Sequence, residues 1–152
     1  MGDGYQIRPA CPADAEALSL IERRCFSDPW SEQGFREALG SPGGFGLVAE
    51  GPRGIQGYLL GRKIVAEGEV LNLAVRPDRR RQGVGATLLG AGLAHFGAHG
   101  IREVFLEVRA SNQAARRLYQ ARGFVAVAQR PRYYRNPPED ALVLRLRLDR
   151  PA

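Results

Sequence analysis

Glu107 is the residue whose place in the sequence points most directly to chemistry. It follows the apolar run Val104-Phe105-Leu106 inside a segment with the composition of a buried strand. Carboxylates are rarely buried without a partner or a function, and a positioned carboxylate can serve as a general base. The competing interpretation is an ion pair with a nearby arginine such as Arg109.

A second candidate site is the stretch RRRQGVG at positions 79–85, between a strand-like segment and an amphipathic helical pattern. The first amides of a helix have no partner within the helix and lie at the positive end of its dipole. Gly83 and Gly85 would let an anion approach these amides. The spacing is neither a Walker motif nor the full glycine motif of dinucleotide folds. By itself the motif is equally compatible with an ordinary turn.

Two groups of side chains recur at helical spacing. Asn112, Arg116 and Tyr119 lie at i, i+4 and i+7, on one face of one helix. A tyrosine there can donate a proton, although helical tyrosines more often pack in a core. His95 and His99 are four residues apart, but no acidic ligand accompanies them, so the sequence predicts no metal site.

The hydrophobic pattern predicts the elements that must position these residues. Apolar segments bounded by glycine and proline indicate strands, and helical spacing after capping residues indicates helices. The predicted strands cover 5–8, 45–50, 55–65, 69–75, 104–108, 125–132 and 141–148, and the predicted helices begin near Pro12, Ser31, Val84 and Asn112. Trp30 and Phe35 flank Ser31 as a hydrophobic staple. With no repeat or linker, the sequence predicts one α+β domain with a mixed sheet over residues 1–152.

The bulk composition narrows the classes of partner. The chain has 22 basic and 16 acidic residues among 152, a net charge of +6 and a pI near 10.0, which favours anionic partners. Only one basic residue is a lysine, Lys63, so an arginine bias raises the count without making a patch, and direct binding of nucleic acid is not expected. Cys11 and Cys25 do not suggest a disulfide framework. With no signal peptide or membrane-length apolar run, we expect a cytoplasmic protein.

The order of strand, Arg80-x-x-Gly83-x-Gly85 and long helix resembles the acetyl-CoA signature of the Gcn5-related N-acetyltransferase (GNAT) superfamily. The resemblance covers about residues 5–148 and is closest to the RimI-type branch, which acetylates the N-terminal alanine of a ribosomal protein. The segments that carry it are FSDPWSEQGF (26–35), NLAVRPDRRRQGVGATLL (72–89) and FLEVRASNQAARRLYQARGF (105–124), followed by a tyrosine pair at 133–134 and EDA at 139–141. It implies a central sheet that splays after the 69–75 strand, with helices on its flanks.

The resemblance also implies acetyl-CoA as cosubstrate. Its pyrophosphate would rest on the backbone amides of residues 81–86, and its pantetheine would run along residues 73–75 like an added strand. The implied cofactor-binding residues are Leu73, Ala74, Val75, Arg80, Arg81, Gln82, Gly83, Val84, Gly85, Ala86 and Asn112.

Roles for the catalytic and acceptor-binding residues follow from the same resemblance. Glu107 would be the base, directly or through a water, and Tyr119 would protonate the leaving sulfur. Trp30, Tyr133 and Tyr134 would line the groove for the acceptor peptide.

The acceptor is the least determined part of the prediction. Neutralising an α-amino group at pH 7.4 costs roughly 1 kcal/mol, against about 4 kcal/mol for lysine, so one modest base suffices for a protein N-terminus. We expect a monomer that acetylates the N-terminal alanine of a small-subunit ribosomal protein. An internal lysine, a polyamine or another small amine is the alternative acceptor, and the non-enzymatic alternative is an RNA- or ribosome-binding module.

Overall fold

The computed structural model describes residues 4–148. Its helices are α1 (Ala15–Cys25), α2 (Glu32–Gly40), α3 (Val84–Ala98) and α4 (Gln113–Ala121). Its strands are β1 (Gln6–Pro9), β2 (Gly44–Gly51), β3 (Gly54–Ile64), β4 (Glu67–Val75), β5 (Glu103–Arg109), β6 (Val125–Tyr134) and β7 (Glu139–Arg147). No helix within residues 4–148 is long and apolar enough to cross a membrane.

The strands form one mixed sheet in the order β1-β2-β3-β4-β5-β7-β6. Neighbours are antiparallel except β4 and β5, which are parallel and pair only through residues 67–70 and 103–106. Beyond that point the two strands separate, and residues 71–75 of β4 keep a strand neighbour only on the β3 side. The structure thus confirms the mixed α+β sheet that the sequence predicts and the splay that the family resemblance implies.

Helices cover the sheet on its two faces. On one face α3 and α4 pack over the centre, where Leu88, Leu89 and Phe96 are almost fully buried. On the other face α1 and α2 cover the half containing β2, β3 and β4, with Leu18 and Phe35 in that core. The second face therefore leaves β5, β7 and β6 without a helix above them among the described residues.

The start of α2 confirms the predicted staple. Ser31 Oγ accepts the amide of Gly34 at 3.0 Å, and the rings of Trp30 and Phe35 lie 5.6 Å apart across it. The first helix differs from the prediction, because Pro12–Asp14 forms one 3₁₀ turn and α1 begins at Ala15.

The final hairpin is longer than its local sequence indicates. The sequence predicts strands over 125–132 and 141–148, whereas β6 continues to Tyr134 and β7 begins at Glu139. Asp140 explains the extension, since its carboxylate accepts hydrogen bonds from Gln129 Nε2 at 2.6 Å and from the Arg132 amide at 2.9 Å. These bonds hold an irregular stretch of β6 beside β7 and carry the tyrosine pair into the strand.

Candidate active site

Glu107 stands where β4 and β5 separate. Leu106 is the last β5 residue in register with β4, opposite Val70, and Glu107 is in register only with Val143 of β7. Side chains alternate along a strand, and Leu106 and Val108 are buried in the core beneath α3 and α4. The Glu107 side chain consequently leaves the opposite face, which no helix covers at this position.

Two residues of β6 contact the Glu107 carboxylate, whose side chain is 19% exposed. The Tyr133 hydroxyl donates to Oε1 at 2.9 Å, and Arg130 Nε lies 2.9 Å from Oε2. The second contact is an ion pair without an aligned N–H. Oε2 is buried and accepts no hydrogen bond from the described residues. Glu107 therefore does form an ion pair with an arginine, as the alternative interpretation expects, but the partner is Arg130, whereas Arg109 pairs with Glu139.

Arg109 instead braces the loop between β6 and β7. Its guanidinium donates to the carbonyl oxygens of Pro137 at 3.0 Å and Arg135 at 2.6 Å, and to Glu139 Oε1 at 3.2 Å. The same group lies 4.5 Å from the centre of the Tyr134 ring. One cation thus fixes the loop and one tyrosine of the pair.

The tyrosine pair forms a wall beside the carboxylate. The rings of Tyr133 and Tyr134 are nearly perpendicular, with centroids 5.0 Å apart, and Tyr133 is 45% exposed. Burial raises the pKa of Tyr134 to about 12, and the negative charge of Glu107 adds to the rise. Both phenols are therefore neutral at physiological pH and present apolar faces with a polar tip.

The segment between α1 and α2 forms the boundary of the candidate site opposite the tyrosine pair. Ser27 Oγ accepts a hydrogen bond at 3.4 Å from Arg109 Nη2 of β5, the residue that also holds the loop between β6 and β7. Trp30 packs on Phe35 and its amide donates to Glu22. The structure therefore places Trp30 in the segment facing the hairpin, while its ring serves the staple.

Tyr119 is held rigidly by α4. It is 7% exposed and packs against Phe124, with ring centroids 5.6 Å apart. Burial raises the pKa of Tyr119 above its ordinary value, and Tyr134 contributes to the same shift. Its hydroxyl makes no hydrogen bond within the described part of the chain, so a neutral phenol is held in place with its proton uncommitted.

The first turn of α3 has the form of an anion cradle. Gly83 caps the helix with φ at 81°, a left-handed conformation that favours glycine. A Cβ at Gly83 would meet no atom within 4 Å, so the space beside this residue is open. The first intrahelical backbone bond is from Thr87 to the Gly83 carbonyl. The amides of Val84, Gly85 and Ala86 therefore have no partner within the helix.

Arg80 turns back from this cradle toward the end of β4. Its Nε donates to the Val75 carbonyl and its Nη2 lies against Cys25 Sγ, both at 3.3 Å. The Cys25 thiol also donates to the Val75 carbonyl, at 3.4 Å. Arg81 and Gln82 are exposed. The glycines and the arginine of the motif thus have separate tasks: the glycines open the amides, and Arg80 ties the turn to β4 and α1.

Asn112 caps α4, with Oδ1 accepting the Ala115 amide at 3.2 Å. Arg116, on the same face, donates to the Ala110 carbonyl at 2.8 Å. The Asn112 cap leaves its side-chain NH₂ without a partner in residues 4–148. The structure therefore confirms the helix cap that the sequence predicts near Asn112.

Glu22 is a buried carboxylate that the sequence analysis missed. It is 2% exposed and accepts hydrogen bonds from the Tyr58 hydroxyl, from Asn72 Nδ2 and from the Trp30 amide. Burial raises its pKa, although the three donors oppose the rise. The available signal was its place four residues after Leu18, on the apolar face of α1.

The histidine pair forms a surface stack. The rings of His95 and His99 lie 4.3 Å apart, and His95 also stacks on Phe45 at 3.8 Å. Burial lowers the pKa of His95, and the charge of the neighbouring His99 contributes to the same shift. The described residues contain no group of three or more His, Cys, Asp or Glu able to hold a metal.

Comparison with known proteins agrees with this architecture. The chain is 35% identical over 136 residues to the ribosomal protein bS18-alanine N-acetyltransferase of Escherichia coli strain K12, covering 88% of this chain and 90% of that protein. It is 37% identical over 139 residues to the N-alpha-acetyltransferase RimI of Mycobacterium tuberculosis, covering 88% and 86%.

Solved structures give the same result. The crystal structure of the Escherichia coli ribosomal-protein-S18-alanine N-acetyltransferase superposes with a TM-score of 0.89 at 30% identity, covering 97% of this chain and 96% of that one. Ard1 from Thermoplasma volcanium also gives 0.89, at 27% identity, with 97% and 99% covered. The model of the Acetyltransferase (GNAT) family matches residues 15–124. The chain therefore belongs to the GNAT family of acetyltransferases.

Proposed function

We propose that the protein is an N-alpha-acetyltransferase that uses acetyl-CoA to acetylate a protein N-terminus. The observation that carries this proposal is the position of Glu107, the first β5 residue beyond the separation from β4. A carboxylate at this fork lies between a free strand edge and the tyrosine wall. It can therefore receive a proton from an amine that enters between them.

The features on either side of the fork fit acetyl-CoA. Residues 71–75 of β4 offer a strand edge without a neighbour on the β5 side, and the α3 amides offer a site for phosphate. We assign the pantetheine to Leu73, Ala74 and Val75, and the pyrophosphate to residues 81–86. Asn112 would contribute the NH₂ that its capping role leaves free. Acetyl-CoA supplies the acetyl group as an activated thioester.

The chain supplies two proton transfers. Glu107 accepts a proton from the acceptor ammonium, directly or through a water, which leaves the nitrogen lone pair free to form the new N–C bond. As the C–S bond breaks, Tyr119 donates its phenolic proton to the departing sulfur. The raised pKa of Tyr119 keeps that proton in place until the thiolate develops.

The proposed acceptor is the N-terminal alanine of a small-subunit ribosomal protein. Two relatives are named for this substrate or for N-alpha acetylation, and an α-amine needs about 3 kcal/mol less than lysine to become neutral. Trp30, Tyr133 and Tyr134 are the residues we assign to the acceptor groove. A cytoplasmic location suits this substrate.

Two peptides test the acceptor. One begins with a free alanine, and its twin has the same sequence with a blocked N-terminus and an internal lysine. Mass spectrometry after incubation with acetyl-CoA should show an added acetyl group on the first peptide alone. Acetylation of the blocked twin would instead favour the lysine acceptor, and salt-sensitive RNA binding without any acetylated product would favour the non-enzymatic alternative.

Glu107→Gln tests the base. Loss of general base catalysis should lower kcat by about 100-fold or more, while acetyl-CoA binding measured by calorimetry stays near the wild-type value. Glu103→Gln is the matched control, because Glu103 lies on the same strand and pairs with arginines of β7. Normal turnover by Glu107→Gln would remove Glu107 from the mechanism.

A further inference from the structure

Arg130 is a cation placed against the proposed base from the neighbouring hairpin. Its Nε is 2.9 Å from Glu107 Oε2, yet its side chain is 60% exposed. Its guanidinium also lies 5.6 Å from the centre of the Tyr133 ring. The side chain is therefore fixed at the carboxylate end and free to shift on its solvent side.

The ion pair with Arg130 covers Oε2, the oxygen of Glu107 that we expect to take the proton of the acceptor. Tyr133 already donates to Oε1, whereas Oε2 accepts no hydrogen bond within residues 4–148 and is sealed from solvent. An acceptor ammonium that reaches Oε2 must therefore enter the position beside Arg130. Two cations would then share one carboxylate.

We propose that Arg130 is a positioning residue that lowers the pKa of the bound acceptor amine and so favours its neutral, nucleophilic form. This rests on the proposed role of Glu107. A like charge within about 4–6 Å disfavours the charged form of a titrating group. Arg130 weakens binding of the ammonium and, for the same reason, lowers the pH at which the bound amine becomes neutral. The proton passes from nitrogen to a carboxylate oxygen, and the nitrogen keeps the lone pair.

Other charged groups around Glu107 leave Arg130 as the cation nearest to Oε2. From β6, Tyr133 and Tyr134 face it as neutral phenols with raised pKa values. From β4, Glu69 contributes a negative charge that acts on Tyr133 and is itself paired with Arg62. Arg109, farther along β5, is paired with Glu139 and the loop carbonyls.

The test compares Arg130→Gln, Arg130→Lys and the control Arg147→Gln. Arg147 is an exposed arginine whose Nε pairs with Glu103, another carboxylate of β5, at 3.4 Å. For each variant, kcat and the acceptor KM are measured against pH with the alanine-starting peptide. The acidic limb of kcat reports groups that titrate in the bound complex.

In Arg130→Gln, the limb should move to higher pH by about one unit. On that limb kcat should then fall about tenfold at a fixed pH and recover at high pH, while the acceptor KM decreases. Arg130→Lys and Arg147→Gln should keep the wild-type limb. A peptide beginning with β-alanine, whose amine is more basic, should also move the wild-type limb upward, since the titrating group is the acceptor.

Coincident limbs for Arg130→Gln and wild type would overturn the inference and leave the proposed function intact, provided that Glu107→Gln is inactive. The inference would also be overturned if the acidic limb of kcat stayed at the same pH with the β-alanine peptide, because the titrating group would then belong to the enzyme. Failure of the wild-type protein to acetylate the free N-terminus is a different result, and it would refute the proposed function itself.

Discussion

At the scale of single residues, burial separates the two proposed proton carriers. Glu107 keeps two polar partners at the fork between β4 and β5, whereas Tyr119 has none among the described residues and lies in the core. An acid must hold its proton until the leaving group develops charge, and burial provides this for a phenol. A base must be reachable by the substrate, and the fork between β4 and β5 provides that.

Tyr119→Phe should therefore lower kcat by about 100-fold or more while changing stability and the acetyl-CoA KM little, because no hydrogen bond within residues 4–148 is lost. Since the pKa of Tyr119 is raised above 10, its ionisation should cause no loss of kcat as the pH rises to 10. Steady-state kinetics from pH 6 to 10 check both points. A wild-type rate in the phenylalanine variant would assign the proton to another donor.

Individual residues also show what the sequence could predict. Glu107 and Gly83 were identifiable because their signals are local: one charge in an apolar run, and a glycine before a helix. Glu107 and Arg130 are 23 positions apart in the sequence. Their contact depends on the register between β5, β7 and the bulged strand β6. No local pattern specifies such a register.

At the scale of elements, the proposed phosphate cradle depends on the geometry of α3 itself. The conformation of Gly83 turns the chain into the helix and leaves three amides without a partner within it. The length of α3 and its burial against the sheet hold this end in place. Cofactor affinity should thus depend on the backbone at this turn as well as on charged side chains.

Gly83→Ala should raise the acetyl-CoA KM and lower the free energy of unfolding by about 1 kcal/mol, because alanine resists the left-handed conformation. Gly97→Ala is the matched control in the same helix, where φ is ordinary and a Cβ meets nothing within 4 Å. That change should stabilise the protein by about 0.4–1 kcal/mol and leave KM unchanged. Calorimetric binding of acetyl-CoA and denaturant unfolding distinguish the two variants. Equal acetyl-CoA KM values for Gly83→Ala and wild type would argue against the cradle.

At the scale of the whole molecule, Glu22 joins the segment proposed to bind the acceptor to the strand proposed to bind the cofactor. Its carboxylate accepts a hydrogen bond from the Trp30 amide, in the segment between α1 and α2. It also accepts hydrogen bonds from Asn72 in β4, the strand with the free edge. It also accepts the Tyr58 hydroxyl from β3. The sequence could not predict this network, because its members are up to 50 positions apart.

Glu22 should make stability depend on pH. Because burial raises its folded pKa, the native state binds its proton more readily than the unfolded chain does. The free energy of unfolding should consequently fall as pH rises from about 4.3, the ordinary carboxyl value, through the raised folded pKa. Glu22→Gln lacks this titration, and its amide NH₂ faces donors, so it should be less stable by about 1–3 kcal/mol.

Denaturant unfolding at a series of pH values measures this effect. The stability difference between wild type and Glu22→Gln should shrink as pH rises, whereas exposed Glu16→Gln should track the wild type at every pH. A difference that stays constant with pH would show that Glu22 has an ordinary pKa in the folded protein.

The two outer strands of the sheet have a consequence for self-association. An exposed strand edge can recruit another chain, and β6 is exposed along almost its whole length. Pro131 removes one amide donor from that edge, and Arg132, with φ at 52°, breaks its extended geometry. At the other rim, β1 has only four residues and ends in Pro9. The hairpin that carries Arg130 and the tyrosines can thus stand at the rim of the sheet, open to a substrate, with little tendency to add a strand from a neighbouring molecule.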